Sequence, residues 1–346
     1  MGGAAAHRRR PHRAAGWRAA RSRRDQGHGS PRAARPAPCR LRSAGRGERR
    51  QPRDDRAPDG RDPAALRDPV TEQRPLLAVD GDSFAHRAYH ALPKSIRRAE
   101  GRPAGGIVGF ANMLLRLWDA EEPRAVLVAW DTLTVPTYRH EAFEGYQAGR
   151  VFDAELLEQL ELLPRLVEAL GFAYAKAPGY EADDFLAAAA VHAAEPVLVA
   201  TSDRDAFQLA RAGVTILQPT RGVSELARID PAEVRERYGV EPEQVPDFIA
   251  LRGDPSDRLP GAPGVGPKKA AEILGQYGSL EAALEAGRFA ANAEELRLYR
   301  RIATLDASAP IPAMRGQTPS WAEASALVDS WGLGQLAGRL DERAKG

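Results

Sequence analysis

A single cysteine, Cys39, among 346 residues excludes an internal disulfide framework and any cysteine-based zinc cage. The seven histidines form no HExxH pair and no tight His/Cys cluster, so the common kinds of zinc chemistry lack their ligands. No apolar run approaches the roughly 18 residues a membrane span needs, and no basic start followed by an apolar stretch resembles a secretory signal. These absences predict a soluble, cytoplasmic protein with no membrane partner.

What is present is unevenly distributed. The net charge of +2 conceals a basic beginning and an acidic remainder. About 20 arginines stand against about 8 acids through Leu76, leaving about 29 basic against about 39 acidic residues after it. Residues 1–74 are rich in Arg, Ala, Gly and Pro and lack any apolar periodicity that would bury a core, which predicts a disordered tail. Its candidate meanings are a solvated arm, a nucleic-acid-binding arm, a transit peptide, or translation from a start codon set too far upstream.

From Pro75 short apolar runs alternate with helical patterns, the texture of βαβ units and a mainly parallel sheet. Strands are expected at 76–79, 125–130, 196–201 and 214–217, with amphipathic helices at 107–118, 154–170 and 182–192. Past about Arg235 helices separated by Gly/Pro turns take over. The expected plan is an α/β catalytic domain over 75–240 and a helical region over 241–346.

Three of the expected strands run straight into acids: Asp80-Gly81-Asp82, Asp131, and Ser202-Asp203-Arg204-Asp205. In open α/β sheets the carboxyl ends of parallel strands are where ligands bind. Glu181, Asp183 and Asp184 open the helix at 182, and Asp254 and Asp257 follow in a Gly/Pro loop. Any one of these acids has an ordinary reading as a turn, N-cap or first-turn residue. Five such groups together point elsewhere, because like charges at about 4 Å repel by roughly 1 kcal/mol in water and about 4 kcal/mol at an effective dielectric of 20. Hard divalent cations such as Mg²⁺ or Mn²⁺ take oxygen ligands and relieve that repulsion. Two of them about 4 Å apart suit phosphodiester hydrolysis, activating a water and stabilising the leaving oxygen.

At these residues the chain resembles the 5′-3′ exonuclease domain of bacterial DNA polymerase I and its free-standing relatives, which share a PIN-like fold with the flap endonucleases. The matching segments are VDGDSFAHRAYHAL, PTYRHEAFEGYQAGR, GYEADDFLA, TSDRDAFQL and GDPSDRLPGAPGVGPKKAAEIL, in the family's order. The resemblance implies one ion on Asp80, Asp131, Glu181 and Asp183, and a second on Asp203, Asp205 and Asp257, with Asp184 and Asp254 close by and Asp82 in a lesser place. It also implies a helical arch near 136–165 that threads a free 5′ end, with Arg139 and Arg150 gripping phosphates. Gln147 stands where many relatives carry a lysine thought to assist catalysis, and Arg87 is a further phosphate contact.

The segment Gly261–Lys269 resembles a helix-hairpin-helix within the family's helix-three-turn-helix region. It implies duplex binding through the backbone at Gly264, Val265 and Gly266, charge from Lys268 and Lys269, and a seat for a monovalent cation. Arg252 and Arg258 replace a Thr and an Asn usual in relatives. Tyr146, with Tyr89, Tyr138 and Phe143, is a candidate for stacking on unpaired bases, against an ordinary packing role. His86, His90 and His140 have no ligand spacing.

The function implied is structure-selective 5′-3′ exonuclease and flap endonuclease action on DNA and RNA-DNA primer junctions in replication and repair. The chain is expected to be a monomer at the nucleoid, with a DNA polymerase as a candidate partner. About 65 residues beyond the helical region leave no room for a polymerase domain, so a free-standing nuclease or a fragment is expected. A PIN-like ribonuclease would need neither the arch nor the GVGPKK hairpin. A noncatalytic DNA-binding relative would have lost its carboxylates.

Overall fold

The computed structural model describes residues 74–133, 135–221 and 225–346. The expectation for the tail falls outside them apart from Arg74, whose guanidinium donates to the carbonyls of Glu122 and Pro123. Six strands, β1 (Leu76–Asp80), β2 (Ala125–Ala129), β3 (Ala173–Ala175), β4 (Val197–Ala200), β5 (Val214–Arg221) and β6 (Glu225–Ile229), form one sheet in the order β3-β2-β1-β4-β5-β6. The first five are parallel and β6 is antiparallel to β5. Twelve α-helices are described: α1 (Gly81–Ala91), α2 (Gly105–Glu121), α3 (Tyr138–Ala142), α4 (Ala154–Ala169), α5 (Ala182–His192), α6 (Pro231–Tyr238), α7 (Val245–Arg252), α8 (Pro267–Tyr277), α9 (Leu280–Glu285), α10 (Ala293–Ala303), α11 (Trp321–Ser330) and α12 (Gly334–Lys345).

The central strands read as unbroken apolar runs because both of their faces are covered. Along β1, Leu76 and Ala78 join one core with Phe185 of α5, Phe248 of α7 and Leu274 of α8. Leu77 and Val79 join the opposite core with Phe84 of α1, Leu114 of α2 and Leu163 of α4. The result is three layers, helix on sheet on helix.

The four expected strands are present within a residue or two at each end, except that β5 runs on to Arg221. β3 and β6 were not foreseen. Ala173–Ala175 is three residues long with Tyr174 exposed, and Glu225–Ile229 is charged and mostly exposed at the sheet edge, so neither carries a clear apolar signal. The division near 240 is not a break in packing, since α7, α8 and α10 share a core with the sheet. α11 and α12 return to the other face, where Val328, Leu336 and Leu340 pack with α2 and α4.

The region 136–165 was expected to form a helical arch. It consists of the five-residue α3, a run of turns through 144–149, and the first turns of α4. Leu156, Leu160 and Leu163 of α4 are buried, so this helix belongs to the core.

Candidate active site

Strand order reverses between β1 and β4, and a cleft of about 700 Å³ opens over the carboxyl ends of β1, β2 and β4. This is where an open parallel sheet places a ligand. Asp80 ends β1 and caps α1: one carboxylate oxygen accepts from the Ser83 amide at 2.9 Å, and the other from the Thr201 hydroxyl at 2.7 Å. Asp131 follows β2 and accepts from the Ala182 amide at 2.7 Å, at the opening of α5. Asp203 follows β4 and accepts from the Asp205 amide at 2.9 Å.

The last two acids arrive on a tight loop in which Asp254 and Leu259 pair backbone to backbone. Gly253 and Gly261, both at positive φ, flank it. A Cβ on Gly261 would lie 2.4 Å from the Gly253 nitrogen, so the loop closes only without side chains there.

Asp80, Asp131, Glu181, Asp183, Asp203, Asp205, Asp254 and Asp257 all line this cleft, together with Asp82. Electrostatically they form one group. Removal from water pushes Asp80 up to about 7, helped by repulsion from Asp131 and Asp203. Glu181 is likewise raised to about 7 by burial and Asp131, against the pull of Arg139. Asp257 rises to about 6 through burial, opposed by a hydrogen bond from Gln147. Asp183 and Asp205 are held well above the carboxylate range by desolvation and then by Asp203. Asp203 itself is raised by desolvation and by repulsion from Asp254 and Asp131, although it keeps exposed surface. Desolvation inside a crowded cleft affects a charge even where solvent still touches part of the residue.

Among the described residues no three His, Cys, Asp or Glu side chains stand close enough to cage an ion as they are. The donor chemistry nevertheless fits hard divalent cations. The acids are oxygen donors that repel one another, and Asp183 Oδ1 is buried with no hydrogen-bond partner, a group that a cation would satisfy.

Three expected site residues are engaged by protein partners, although Arg139 and Tyr146 also line the cleft. Arg139 is only 2% exposed; it donates through both terminal nitrogens to Asp184 at 2.8 and 2.7 Å and through Nε to the Ile302 carbonyl at 2.9 Å. In this structure its fork is taken by Asp184, with Glu181 at 3.4 Å, so a buried ion pair stands where a grip on phosphate was expected. Asp184, fully buried, does not line the cleft. Besides Arg139 it accepts from the amides of Glu181 and Asp306, which leaves it a structural acid. Tyr146 is 3% exposed and donates to Glu181 at 2.9 Å, so it is not a stacking surface.

Gln147, Arg150 and Arg87 do line the cleft. Arg150 is exposed and donates to Gln147 Oε1 at 2.9 Å. The turn at 264–266 lies apart from the acids. Gly264 has φ +70°, Val265 is buried and anchors the turn, and Gly266 caps α8 with exposed Lys268 and Lys269 in its first turn.

Four contributors were missed or undervalued. Asp82 is buried and accepts from the Asp131 amide at 2.7 Å, tying β1 to β2 at the cleft floor. Thr201 and Ser83 hold Asp80 and the Ser202 amide, and Arg204 lines the cleft among the acids. The hydroxyls sit beside the acids in VDGDS and TSD, a proximity that marks them only once the strands are paired.

Residues 75–239 match the model of the 5′-3′ exonuclease N-terminal resolvase-like domain, and residues 240–319 that of the 5′-3′ exonuclease C-terminal SAM fold. DNA polymerase I of Mycobacterium leprae (strain TN) is 44% identical over 211 residues, 60% of this chain and 23% of that protein. The thermostable DNA polymerase I of Thermus thermophilus is 37% identical over 277 residues, 75% of this chain and 32% of its own. The chain thus spans about a quarter to a third of the curated relatives it matches. Among solved structures, T5 5′-exonuclease with bound zinc has a TM-score of 0.56 at 19% identity, covering 78% of this chain and 99% of that one. The catalytic core of Rad2 in complex with DNA substrate has a TM-score of 0.51 at 16% identity, covering 78% and 93%. These two share the fold. With consecutive family models taking in residues 75–319 and the acids gathered in one cleft, the chain belongs to the 5′-3′ exonuclease family.

Proposed function

We propose that the protein is a divalent-metal-dependent nuclease that hydrolyses phosphodiesters at 5′ ends and flaps of DNA, including RNA-DNA primer junctions. The observation that carries this reading is the convergence of nine acids from five chain segments on one cleft, with Asp183 Oδ1 left unsatisfied there. Asp80, Asp131, Glu181 and Asp183 would hold one ion and Asp203, Asp205 and Asp257 a second, with Asp254 beside them. Mg²⁺ or Mn²⁺ suits these oxygen donors. Bound there, such ions supply Lewis acidity toward water and phosphate and cancel the charge of the acids.

The chain's own groups do the rest. Arg150, Arg204 and Arg87 bring positive charge to the cleft and attract the phosphate backbone. The exposed amides at the start of α8, with Lys268 and Lys269, favour duplex phosphates and the turn before it a monovalent cation. These contacts read phosphates rather than base edges, so sequence preference should be weak. T5 5′-exonuclease with bound zinc and Rad2 bound to DNA substrate support the metal and the polymer by analogy of fold.

The test is cleavage of a labelled 5′-flap DNA by the full chain with Mg²⁺ or Mn²⁺, beside an Asp203→Ala/Asp205→Ala control and a single-stranded RNA. Metal-dependent cutting of the flap, lost in the control, supports the reading. Preference for the RNA favours a PIN-like ribonuclease. Tight flap binding without cutting makes the protein a noncatalytic DNA binder.

A further inference from the structure

We infer that Gln147 is a positioning residue that fixes Asp257 and Glu181 relative to one another through an uncharged link. The inference rests on the metal-dependent reading above. Gln147 has a φ of +46°, a left-handed conformation that a non-glycine side chain adopts only when its surroundings impose it. Its backbone N–H points at the Asp257 carbonyl at 3.4 Å, and its Nε2 donates to Asp257 Oδ1 and to the Tyr146 hydroxyl, both at 3.0 Å. Its Oε1 accepts from Arg150 at 2.9 Å, so the amide is held at both ends.

Tyr146 in turn donates to Glu181 at 2.9 Å. A hydrogen-bonded chain therefore runs Asp257–Gln147–Tyr146–Glu181, from the 253–261 loop to the opening of α5. It joins one acid from each proposed ion site. Gln147 is the only hydrogen-bond donor to the Asp257 carboxylate among the described residues.

The chemistry of an amide matters here. A cationic donor would orient Asp257 and also neutralise it. The amide of Gln147 orients one oxygen and brings no positive charge that would compete with a cation for the acid. Arg150 is kept one bond further away by the same amide, positive but not paired directly with Asp257.

The experiment is Mn²⁺ binding to the full chain at fixed pH, followed by calorimetry and by the free Mn²⁺ resonance signal. The proteins are wild type, Gln147→Gly, Gln147→Lys, Asp257→Asn and the Gln147→Gly/Asp257→Asn pair. Glycine removes the amide at a backbone position it adopts without strain, so folding is preserved, and a thermal melt verifies this. The expected result is two binding events in wild type, with one of them weakened about tenfold or more in Gln147→Gly, as for loss of a group that orients a ligand. Gln147→Lys also weakens that event, because its charge neutralises Asp257. In the Asp257→Asn background the glycine substitution has no further effect. Unchanged Mn²⁺ affinities in a folded Gln147→Gly protein overturn the inference while leaving the nuclease reading intact. A wild type that binds no Mn²⁺ removes the nuclease reading itself, and the inference with it.

Discussion

The indole ring of Trp130 lies so close to Gly81 that a Cβ built on the glycine would sit 2.6 Å from three ring carbons. Gly81 follows Asp80 and Trp130 precedes Asp131, so this contact lies directly beside two acids on neighbouring strands. Trp130 is fully buried and has no room to retreat. Gly81→Ala must displace the ring or the backbone, an overpacking worth about 1–3 kcal/mol. A thermal melt should fall by roughly 3–10 °C, and Mn²⁺ affinity should fall with it. A variant that melts like wild type and binds Mn²⁺ equally would show that the contact does not govern the acids.

The Arg139–Asp184 pair yields a second expectation. Both side chains are buried, and removing one partner leaves an uncompensated charge, which costs about 3–5 kcal/mol. Arg139→Ala should therefore unfold at markedly lower denaturant concentration. The apolar replacement Arg139→Met with Asp184→Leu should recover much of that loss. If Arg139→Ala instead keeps full stability and loses only cleavage, its guanidinium acts on substrate and the buried reading is wrong.

The raised acids predict how stability depends on pH. Asp80 and Glu181 titrate near 7 and Asp257 near 6 in the folded chain, against ordinary values of 3.8 and 4.5. Below about pH 4 the folded and unfolded chains carry these protons alike. Between about 4 and 7 the unfolded chain releases them first, so the folded state loses stability as pH rises. In chelator the melting temperature should decline from about pH 5 to pH 8. Saturating Mg²⁺ or Mn²⁺ should reverse the decline, raising stability more at pH 8 than at pH 5. A melting temperature that climbs with pH in chelator would contradict the arrangement of acids.

Much of this was legible in the sequence because strands buried on both faces read as apolar runs, and Asp80, Asp131 and Asp203 each end one. Their convergence followed from parallel pairing alone. What stayed hidden depended on partners distant in sequence. Arg139 in a run of motif residues looks like a free cation until Asp184, 45 residues on, is seen to fill its fork. Tyr146 looks like a stacking ring until Glu181 takes its hydroxyl. β6 escaped because ELARI owes its place to pairing with β5 at an exposed edge rather than to its own hydropathy.

Asp183 offers a test in which stability and ion binding move in opposite directions. Its buried Oδ1 has no partner, and four acids repel it after desolvation has already raised it. Asp183→Asn removes the charge with little change in volume. The metal-free protein should melt higher than wild type near pH 8, while Mn²⁺ binding weakens and flap cleavage is lost. A lower metal-free melt would mean that the carboxylate serves the fold rather than an ion.

The α8 turn should separate affinity from chemistry. Lys268 and Lys269 are exposed in the first turn, and no acid is paired with them among the described residues, so their loss should not disturb packing. If they meet duplex phosphates, Lys268→Ala/Lys269→Ala weakens DNA binding whatever the sequence. It also reduces the slope of log affinity against log salt by about 2, one unit for each lysine. Turnover at saturating DNA should hardly change, because neither residue lines the acid cleft. Equal salt slopes for variant and wild type would move the duplex path elsewhere, toward the arginines at the cleft mouth.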